Sequence, residues 1–302
     1  MAMHAAKSLK GANNFTRITM LMPMMIFLII ISVFPGVYLL WISFTDLQVN
    51  NMAEEKFVGI SNYIQIFTGE SLFPSALAKT MIFCVAALPI QFILGYIIAK
   101  IFMSATLLKV KGIGILRTIY LFPLMITPLS VGLFWNYLLN PGVGAVNFLF
   151  HSLHLPLQEW LSNSVTAFPC IIGIYLWQWT PYTAMLILAG LLSIGPEIYE
   201  SADVDGAGLL RKVISIDLPL VKKVIGIAVI LSLVQIVQTF ELILATTNGG
   251  PGTSTIVSGY AIYRESFKYF SNGKAAAMSI VIVVISTIIS QLFAKIMLKE
   301  DE

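Results

Sequence analysis

The sequence predicts an all-α membrane protein with six transmembrane helices. Hydrophobic residues make up 58% of the chain and charged residues 11%, whereas soluble domains average roughly 45–50% and about 25%. The few charges also leave long uncharged runs, and about 20 apolar residues are enough to cross a ~30 Å hydrocarbon core. These observations exclude a water-soluble domain.

Uncharged runs supply the six predicted spans. The first follows Lys7, Lys10 and Arg17, an arrangement that a secretory signal also has. However, it is longer than the typical apolar core of about 7–15 residues, and no small-residue cleavage site follows promptly, so we interpret it as a retained helix. We place the spans near residues 18–44, 78–103, 116–139, 167–192, 222–246 and 275–298.

The distribution of basic residues predicts the orientation. Thirteen of the 18 Lys and Arg residues lie on the side that holds both termini, and five lie on the other side. Because basic residues concentrate in cytoplasmic loops, both termini are predicted to be cytoplasmic. The chain is thereby divided into a cytoplasmic segment at 1–17, one six-helix domain at 18–298 and a cytoplasmic tail at 299–302.

The sequence offers no support for several other functions. No basic patch with interleaved aromatic residues predicts nucleic-acid binding. The histidines His4, His151 and His154 have no companion cluster, so we predict neither a metal site nor imidazole catalysis. Cys84 and Cys170 fall inside predicted spans, where they are expected to be small apolar packing groups rather than a disulfide.

The loop at 195–223 is unusual in this chain because it is densely charged, with five acids and four bases. Its proline and glycine positions predict two short helices, at 196–204 and about 209–216, separated by a break at 205–206 and ended by Pro219. Since such short helices are marginal in water, they need a surface to lie against. That surface is either the chain's own bundle or a partner protein.

The same loop carries a resemblance to a known family. The residues that carry it are Glu200-Ser201-Ala202, Asp205-Gly206-Ala207, Ile216 and Leu218-Pro219. They resemble the EAA loop of ABC importer permeases, with Ser201 in place of the usual first Ala, Val213 where Phe is common and Lys223 where a second Pro is frequent.

Four further segments resemble carbohydrate-type permeases such as those for maltose and glycerol-3-phosphate, and the last is typical of the first of two permeases in a heterodimer. They lie at 57–63, 122–123, 140–142 and 247–251. The resemblance implies the transmembrane domain of a type I ABC importer in a bacterial or archaeal cytoplasmic (inner) membrane. The implied partners are a second permease, an ABC ATPase dimer, an extracytoplasmic solute-binding protein and a sugar-like solute.

ATP and Mg are expected to be used by the partner ATPase. The Gly-rich run at 249–255 lacks the Lys-Ser/Thr ending and the strand-to-helix setting of a phosphate-binding loop, so this chain is not expected to bind ATP or any other cofactor.

The resemblance also implies that the loop forms a coupling helix seated in a cleft of the ATPase. The implied coupling residues are Glu200, Ser201, Ala202, Asp205, Gly206, Ala207, Leu218 and Pro219. Acidic side chains there can pair with basic groups, small ones allow close approach, and Gly206 permits a backbone conformation closed to bulkier residues. Without the motif, we would interpret Glu200 and Asp205 as part of an ordinary solvated helix face and a helix cap.

Polar side chains inside spans four and five are the candidates for a solute pathway. Those of each span share one helical face; they are Tyr175, Gln178, Trp179 and Tyr182 in span four, and Ser232, Gln235, Ile236 and Thr239 in span five. Amides, hydroxyls and aromatic faces suit a neutral sugar. Such residues also join helices to one another in membrane proteins, so both roles stay open. Glu241 is an intramembrane acid with either a functional or a structural role.

Two other function classes compete with a permease. A membrane-embedded enzyme needs clustered carboxylates or histidines at a bilayer interface, and the only acidic cluster here matches the coupling motif. A self-contained secondary transporter needs its own coupling charges within the spans and has no ATPase-docking loop. The sequence therefore favours a transport subunit without catalytic residues.

Overall fold

The computed structural model describes residues 14–48, 55–68 and 71–297. The first 13 residues of the predicted N-terminal segment and the predicted tail at 299–302 lie outside the described residues. Within the described ranges the chain is helical, and extended pairing is confined to isolated bridges between Thr45 and Phe57 and between Gln48 and Ser271. The predicted all-α fold class is confirmed.

The helices follow one another with short connections. In chain order they are α1 (Asn14–Leu28), α2 (Phe34–Ile42), α3 (Ser61–Phe67), α4 (Phe73–Leu107), α5 (Ile113–Tyr120), α6 (Pro128–Leu138), α7 (Ala145–Ser152), α8 (Ala167–Leu192), α9 (Pro196–Val204), α10 (Leu209–Lys212), α11 (Leu218–Gln238), α12 (Glu241–Thr246), α13 (Ser258–Phe267) and α14 (Asn272–Met297). A π-helical turn at Ile29–Val33 joins α1 to α2.

In the part of the chain that the structure describes, five helical stretches are long and apolar enough to cross a membrane. They are Thr19–Ile42, Phe73–Leu107, Ala167–Leu192, Leu209–Gln238 and Asn272–Met297. Each overlaps one of the predicted spans, and the fourth predicted span has the observed bounds of α8. The predicted span at 116–139 is the one that has no single continuous counterpart.

The region at 116–139 is helical in three pieces: α5, a 3-10 turn at Phe122–Met125, and α6. Proline explains the interruption, because it lacks a backbone N–H and pushes the preceding residue out of the helical region. Thr127, which precedes Pro128, is accordingly extended with φ −62° and ψ 143°, and its side chain caps α6 by accepting from the Ser130 N–H. Of the six predicted spans, five therefore correspond to a long helix in the described residues, and the third is interrupted.

Pro219 was predicted to end the second helix of the charged loop, and this prediction is wrong. The chain stays helical from α10 into α11, with Pro219 in the first turn of α11. Between them a π-helical turn at Val213–Asp217 lets the Leu218 N–H bond to the Val213 carbonyl. We attribute the continuity to this wider turn, which accommodates the proline ring without breaking the helix.

The bundle is centred on α4 and α8, which pack along much of their lengths. In the most apolar 18-residue stretch of α8, 56% of the residues are buried, whereas in that of the first span 6% are buried. At Gly95 the two helices approach so closely that a Cβ atom would lie 3.1 Å from the Thr183 methyl carbon. Gln91 ties three helices together, since its Nε2 donates to Thr183 Oγ1 at 2.7 Å and to Ser232 Oγ at 3.3 Å.

Candidate functional site

A cavity of about 590 Å³ opens beside α8, the end of α11 and the start of α12, with α13 and α14 completing its wall. It lies where the helix interruptions at Thr127 and Thr239 leave backbone outside regular helix. Six of the nine predicted pathway residues line it: Tyr175, Gln178, Trp179, Gln235, Thr239 and Glu241. The structure thus brings polar side chains from spans four and five to one place.

The other three predicted pathway residues do not line this cavity. Ser232 is fully buried and accepts from Gln91, and Ile236 is fully buried in the main hydrophobic cluster. Tyr182 is partly exposed on α8, further along the helix from the cavity. Ser232 and Ile236 therefore have a structural explanation in the packing of the bundle.

The amide nitrogen and the amide oxygen of Gln178 differ in their hydrogen bonding. Its Nε2 donates to the Ile126 carbonyl at 2.9 Å, which satisfies a backbone group freed by the proline interruption. Its Oε1 is buried without a hydrogen-bond partner among the described residues. The side chain is 1% exposed, so its amide nitrogen serves the fold while its amide oxygen is left with capacity to accept.

Gln235, which also lines the cavity, has a second unpaired amide oxygen. Its side-chain oxygen is also buried without a partner in the described part of the chain. Its backbone carbonyl accepts from Thr239 Oγ1 at 2.9 Å. Because an unpaired buried polar group is costly, each of these two amide oxygens would be stabilised by a donating partner.

Aromatic rings form the apolar part of the wall. The ring centroids of Tyr175 and Trp179 lie 6.3 Å apart at an interplanar angle of 34°, and Tyr175 meets Phe83 edge to face at 5.1 Å. The Tyr175 hydroxyl donates to the Ser232 carbonyl at 3.4 Å. Tyr175 is thus fixed by packing, and the partly buried Trp179 presents a flat apolar surface beside the amides.

The chain bends sharply where it leaves α11. Thr239 is extended with ψ 114°, and Glu241 then begins α12 in its first turn. Gly259 makes this bend possible, because a Cβ atom there would lie 2.8 Å from the Thr239 carbonyl oxygen. Glu241 is partly buried at the cavity wall. It lies in the first turn of α12, where a negative charge interacts favourably with the helix dipole.

Two polar residues with clear positions were missed as sites by the sequence reasoning. Gln91 is fully buried at the junction of α4, α8 and α11, and it is the one amide in the 78–103 run, which is the signal that could have found it. Ser279 on α14 also lines the cavity. No sequence signal could have found it, because small residues of this kind are common in apolar helices.

The charged loop ends α9 with a well-defined cap. The Gly206 N–H bonds to the Asp203 carbonyl at 3.1 Å, and the Ala207 N–H bonds to the Ala202 carbonyl at 2.9 Å. Gly206 has a left-handed φ of +68°. This hydrogen-bond pattern is a Schellman motif, in which glycine avoids the cost of a side chain at positive φ.

The predicted coupling residues differ in their exposure. Ala202 is buried, at 9% exposure. Most of the others are exposed: Glu200, Ser201, Asp205, Gly206, Leu218 and Pro219, with Ala207 intermediate. Two apolar neighbours stand far out of the bundle, Val204 at 89% and Leu209 at 82% exposure. The loop therefore presents an exposed surface of mixed acidic and apolar character.

Two of the sequence segments that resemble carbohydrate permeases, at 57–63 and 140–142, hold loops that follow membrane-spanning regions. Asn62 donates to the Thr45 carbonyl at 2.8 Å, which holds the loop after the first span. Asn140 Oδ1 accepts from the Gly142 N–H at 2.9 Å, closing a turn after α6. These side chains have local structural roles.

Comparisons with known proteins agree with this architecture. The chain is 30% identical over 254 residues to the trehalose/maltose transport system permease protein MalF of Thermococcus litoralis, covering 84% of this chain and 83% of that protein. It is 28% identical over 294 residues to the sulfoquinovosyl glycerol transport system permease protein SmoG of Agrobacterium fabrum, covering 96% and 92%. No family model matches the chain.

A solved structure shows the same fold. A bacterial ABC transporter involved in the import of the acidic polysaccharide alginate contains a chain that superposes with a TM-score of 0.81 at 23% identity, covering 99% of this chain and 100% of that one.

A helical membrane bundle that matches transport permeases along most of its length is a membrane transport subunit. The chain belongs to the permease family of ABC importers that includes the sugar permeases named above. It is a transport subunit and not an enzyme, and in this family ATP is hydrolysed by a separate subunit.

Proposed function

We propose that this chain forms half of the translocation pathway of an ATP-driven, binding-protein-dependent importer for a sugar or a related polar solute. The cavity beside α8 and α11 carries this proposal. Alternating access would expose the cavity first to one side of the membrane and then to the other.

The chemistry of the cavity wall supports a polyhydroxylated solute. Gln178 and Gln235 line the cavity, and their unpaired amide oxygens are acceptors of the kind that suits sugar hydroxyls. The ring of Trp179 offers a flat surface for the C–H face of a sugar ring. The relatives named for trehalose, maltose and sulfoquinovosyl glycerol transport support the same class of solute.

The charged loop supports coupling to an ATPase. Val204 and Leu209 are exposed apolar side chains beside the acids Glu200 and Asp205, and an exposed patch of this kind favours a protein partner. We propose that an ABC ATPase dimer, which binds the ATP and Mg, receives this loop in a cleft. The excess of basic residues on this side of the chain supports a cytoplasmic position for the loop and both termini.

The exposure of the first span supports the presence of a second permease subunit. Its side chains are almost entirely exposed, and of its described side chains only Ile42 is buried. We propose that this span packs against the second permease and surrounding lipid. A solute-binding protein would deliver the solute to the opposite end of the bundle, as supported by the alginate transporter solved with a solute-bound periplasmic protein.

Uptake into proteoliposomes tests the pathway. The complete complex would be reconstituted with its binding protein and assayed with radiolabelled trehalose, maltose and sulfoquinovosyl glycerol. Replacing both glutamines, Gln178→Ala with Gln235→Ala, should raise the apparent KM roughly thirtyfold, since two lost hydrogen bonds are worth about 1 kcal/mol each.

The single change Gln235→Ala isolates the cavity, because the Gln235 side-chain oxygen has no partner in the described residues. Gln65→Ala is the matched control, since Gln65 lies on α3, outside this cavity. Unchanged KM and solute preference in the double variant, at normal amounts of complex, would remove the cavity from the pathway.

A further inference from the structure

Asp217 is a fully buried carboxylate at the entry to α11. Its Oδ2 pairs with Lys100 Nζ at 2.8 Å and accepts a hydrogen bond from the Tyr96 hydroxyl. Its Oδ1 accepts from the Tyr199 hydroxyl at 2.5 Å. Both carboxylate oxygens are therefore occupied by side chains from other elements.

These partners come from two different helices. Tyr96 and Lys100 lie one turn apart on α4, whereas Tyr199 lies on α9, the first helix of the charged loop. Lys100 also sits over the Tyr199 ring, with its Nζ 5.0 Å from the ring centroid. Asp217 consequently joins α4, α9 and α11 at a single point.

Burial gives this junction its strength and its specificity. A buried carboxylate is stable only when it is paired and hydrogen-bonded, and loss of one partner leaves an uncompensated group. Burial, together with the hydrogen bond to Asp217, raises the pKa of Tyr199 above that of an ordinary tyrosine. Its hydroxyl therefore stays protonated and keeps donating to the carboxylate.

Tyr199 is the polar anchor of α9 to the bundle. Around it, Glu200, Ser201 and Asp203 are exposed, and Ala202 contributes a small buried contact. The Tyr199 ring packs against the hydrophobic cluster formed by the ends of α4, α8 and α11. Besides this ring and its hydrogen bond, α9 is held by an ion pair between the exposed Asp203 and Lys212 of α10. The Tyr199 hydroxyl is thus the buried polar link from α9 to Asp217.

We propose that Asp217 is a positioning residue that locks the coupling helix α9 to α4 and α11, so that a displacement of α9 moves both spans together. The inference rests on the proposed docking of this loop to an ATPase. Asp217 is not among the loop residues that carry the resemblance to the EAA motif, although it lies between Ile216 and Leu218-Pro219. Neither Asp217 nor its partners line the solute cavity.

Two matched hydroxyl deletions test the lock. Tyr199→Phe removes the only hydrogen bond from α9 to Asp217, whereas Tyr96→Phe leaves α4 attached through Lys100. In the reconstituted complex, Tyr199→Phe should lower solute transported per ATP hydrolysed roughly tenfold, the size expected for one lost hydrogen bond to a charged group. The apparent KM for solute should not change.

Tyr96→Phe should reduce this ratio much less, by about twofold. Thr106→Val serves as the control, because Thr106 joins Arg117 to the same end of α4 without touching α9 or Asp217. It should leave transport per ATP at the wild-type value. Asp217→Asn should show the same loss of transport per ATP as Tyr199→Phe, provided that the Asp217→Asn complex assembles. If that complex does not assemble, the result for Tyr199→Phe alone decides whether the lock exists.

The outcomes separate this inference from the function it rests on. If the wild-type chain recovers no ATPase on purification, the proposed coupling fails. If the wild-type complex is coupled and Tyr199→Phe is equally coupled, the lock fails while the proposed function stands. Equal losses in the two tyrosine variants would also overturn the lock, because they would indicate general destabilisation.

Discussion

The two ends of α11 are built in opposite ways. Toward the charged loop the helix is continuous, since α10, the π-helical turn at Val213–Asp217 and α11 form one helical stretch, Leu209–Gln238. Toward the cavity the chain leaves the helix at Thr239 and begins α12 at Glu241. The first end contains a proline without a break, and the second contains a break without a proline.

This contrast matches two mechanical tasks. A continuous helix anchored by Asp217 can carry a displacement of the charged loop into the membrane span. An interrupted helix frees backbone and side-chain polar groups, which are tolerated in a membrane protein where they face protein or a cavity. Changes at the continuous end should therefore alter coupling, and changes at the interrupted end should alter solute transport alone.

The largest effect is expected at Gly206. Gly206→Val places a β-branched residue at φ +68°, where even an ordinary residue costs about 1–2 kcal/mol. The cap of α9 should be lost, and both uptake and recovery of the ATPase on purification should fall by roughly an order of magnitude. Uptake assays and quantitative gels of the purified complex measure the two effects.

Gly208→Ala is the matched control two residues away. Gly208 has an ordinary φ of −68°, and a Cβ atom there would meet nothing within 4 Å. This variant should behave as wild type. Normal coupling in Gly206→Val would contradict the assigned role of the loop, and equal losses in both variants would show that the conformation of Gly206 is not what matters.

An intermediate effect is expected at Gly259, beside the interrupted end. In Gly259→Ala the new methyl group would lie 2.8 Å from the Thr239 carbonyl oxygen, so the bend beside the cavity must shift. Uptake should fall several-fold, since overpacking costs about 1–3 kcal/mol, while the ATPase should still be recovered in normal amounts.

Gly173→Ala provides the comparison, because a Cβ atom at Gly173 would meet nothing within 4 Å. Its uptake should match wild type. Loss of the ATPase from Gly259→Ala would mean that the two ends of α11 are not independent.

Local sequence signals predicted much of the fold. The uncharged run at 167–192 has the bounds of α8, and Pro196 with Asp205-Gly206 gave the bounds of α9. These signals are local: apolar length, a proline in the first turn and a glycine after the last. The same signals failed at Pro219, where a π-helical turn at Val213–Asp217 keeps the helix continuous and no local residue pattern predicts such a turn.

The candidate site was predictable only in part, for the same reason. Helical spacing put Gln178 and Trp179 on one face, and both line the cavity. The same spacing also selected Ile236, which is core, and it could not find Gln91, whose importance comes from two other helices. A periodic pattern gives the face of a helix but not which neighbour covers it.

The smallest effect is expected from a pair of glutamine variants that measure stability. Gln178→Leu leaves the Ile126 carbonyl without its donor, whereas Gln235→Leu removes a side-chain oxygen that has no partner in the described residues. Since an unsatisfied buried group costs about 1–3 kcal/mol, Gln178→Leu should unfold at a lower temperature than Gln235→Leu. Intrinsic tryptophan fluorescence of the purified complex, scanned at one heating rate, measures the midpoints. Equal midpoints would mean that Gln178 does not support the interrupted third span and that its amide acts in the cavity alone.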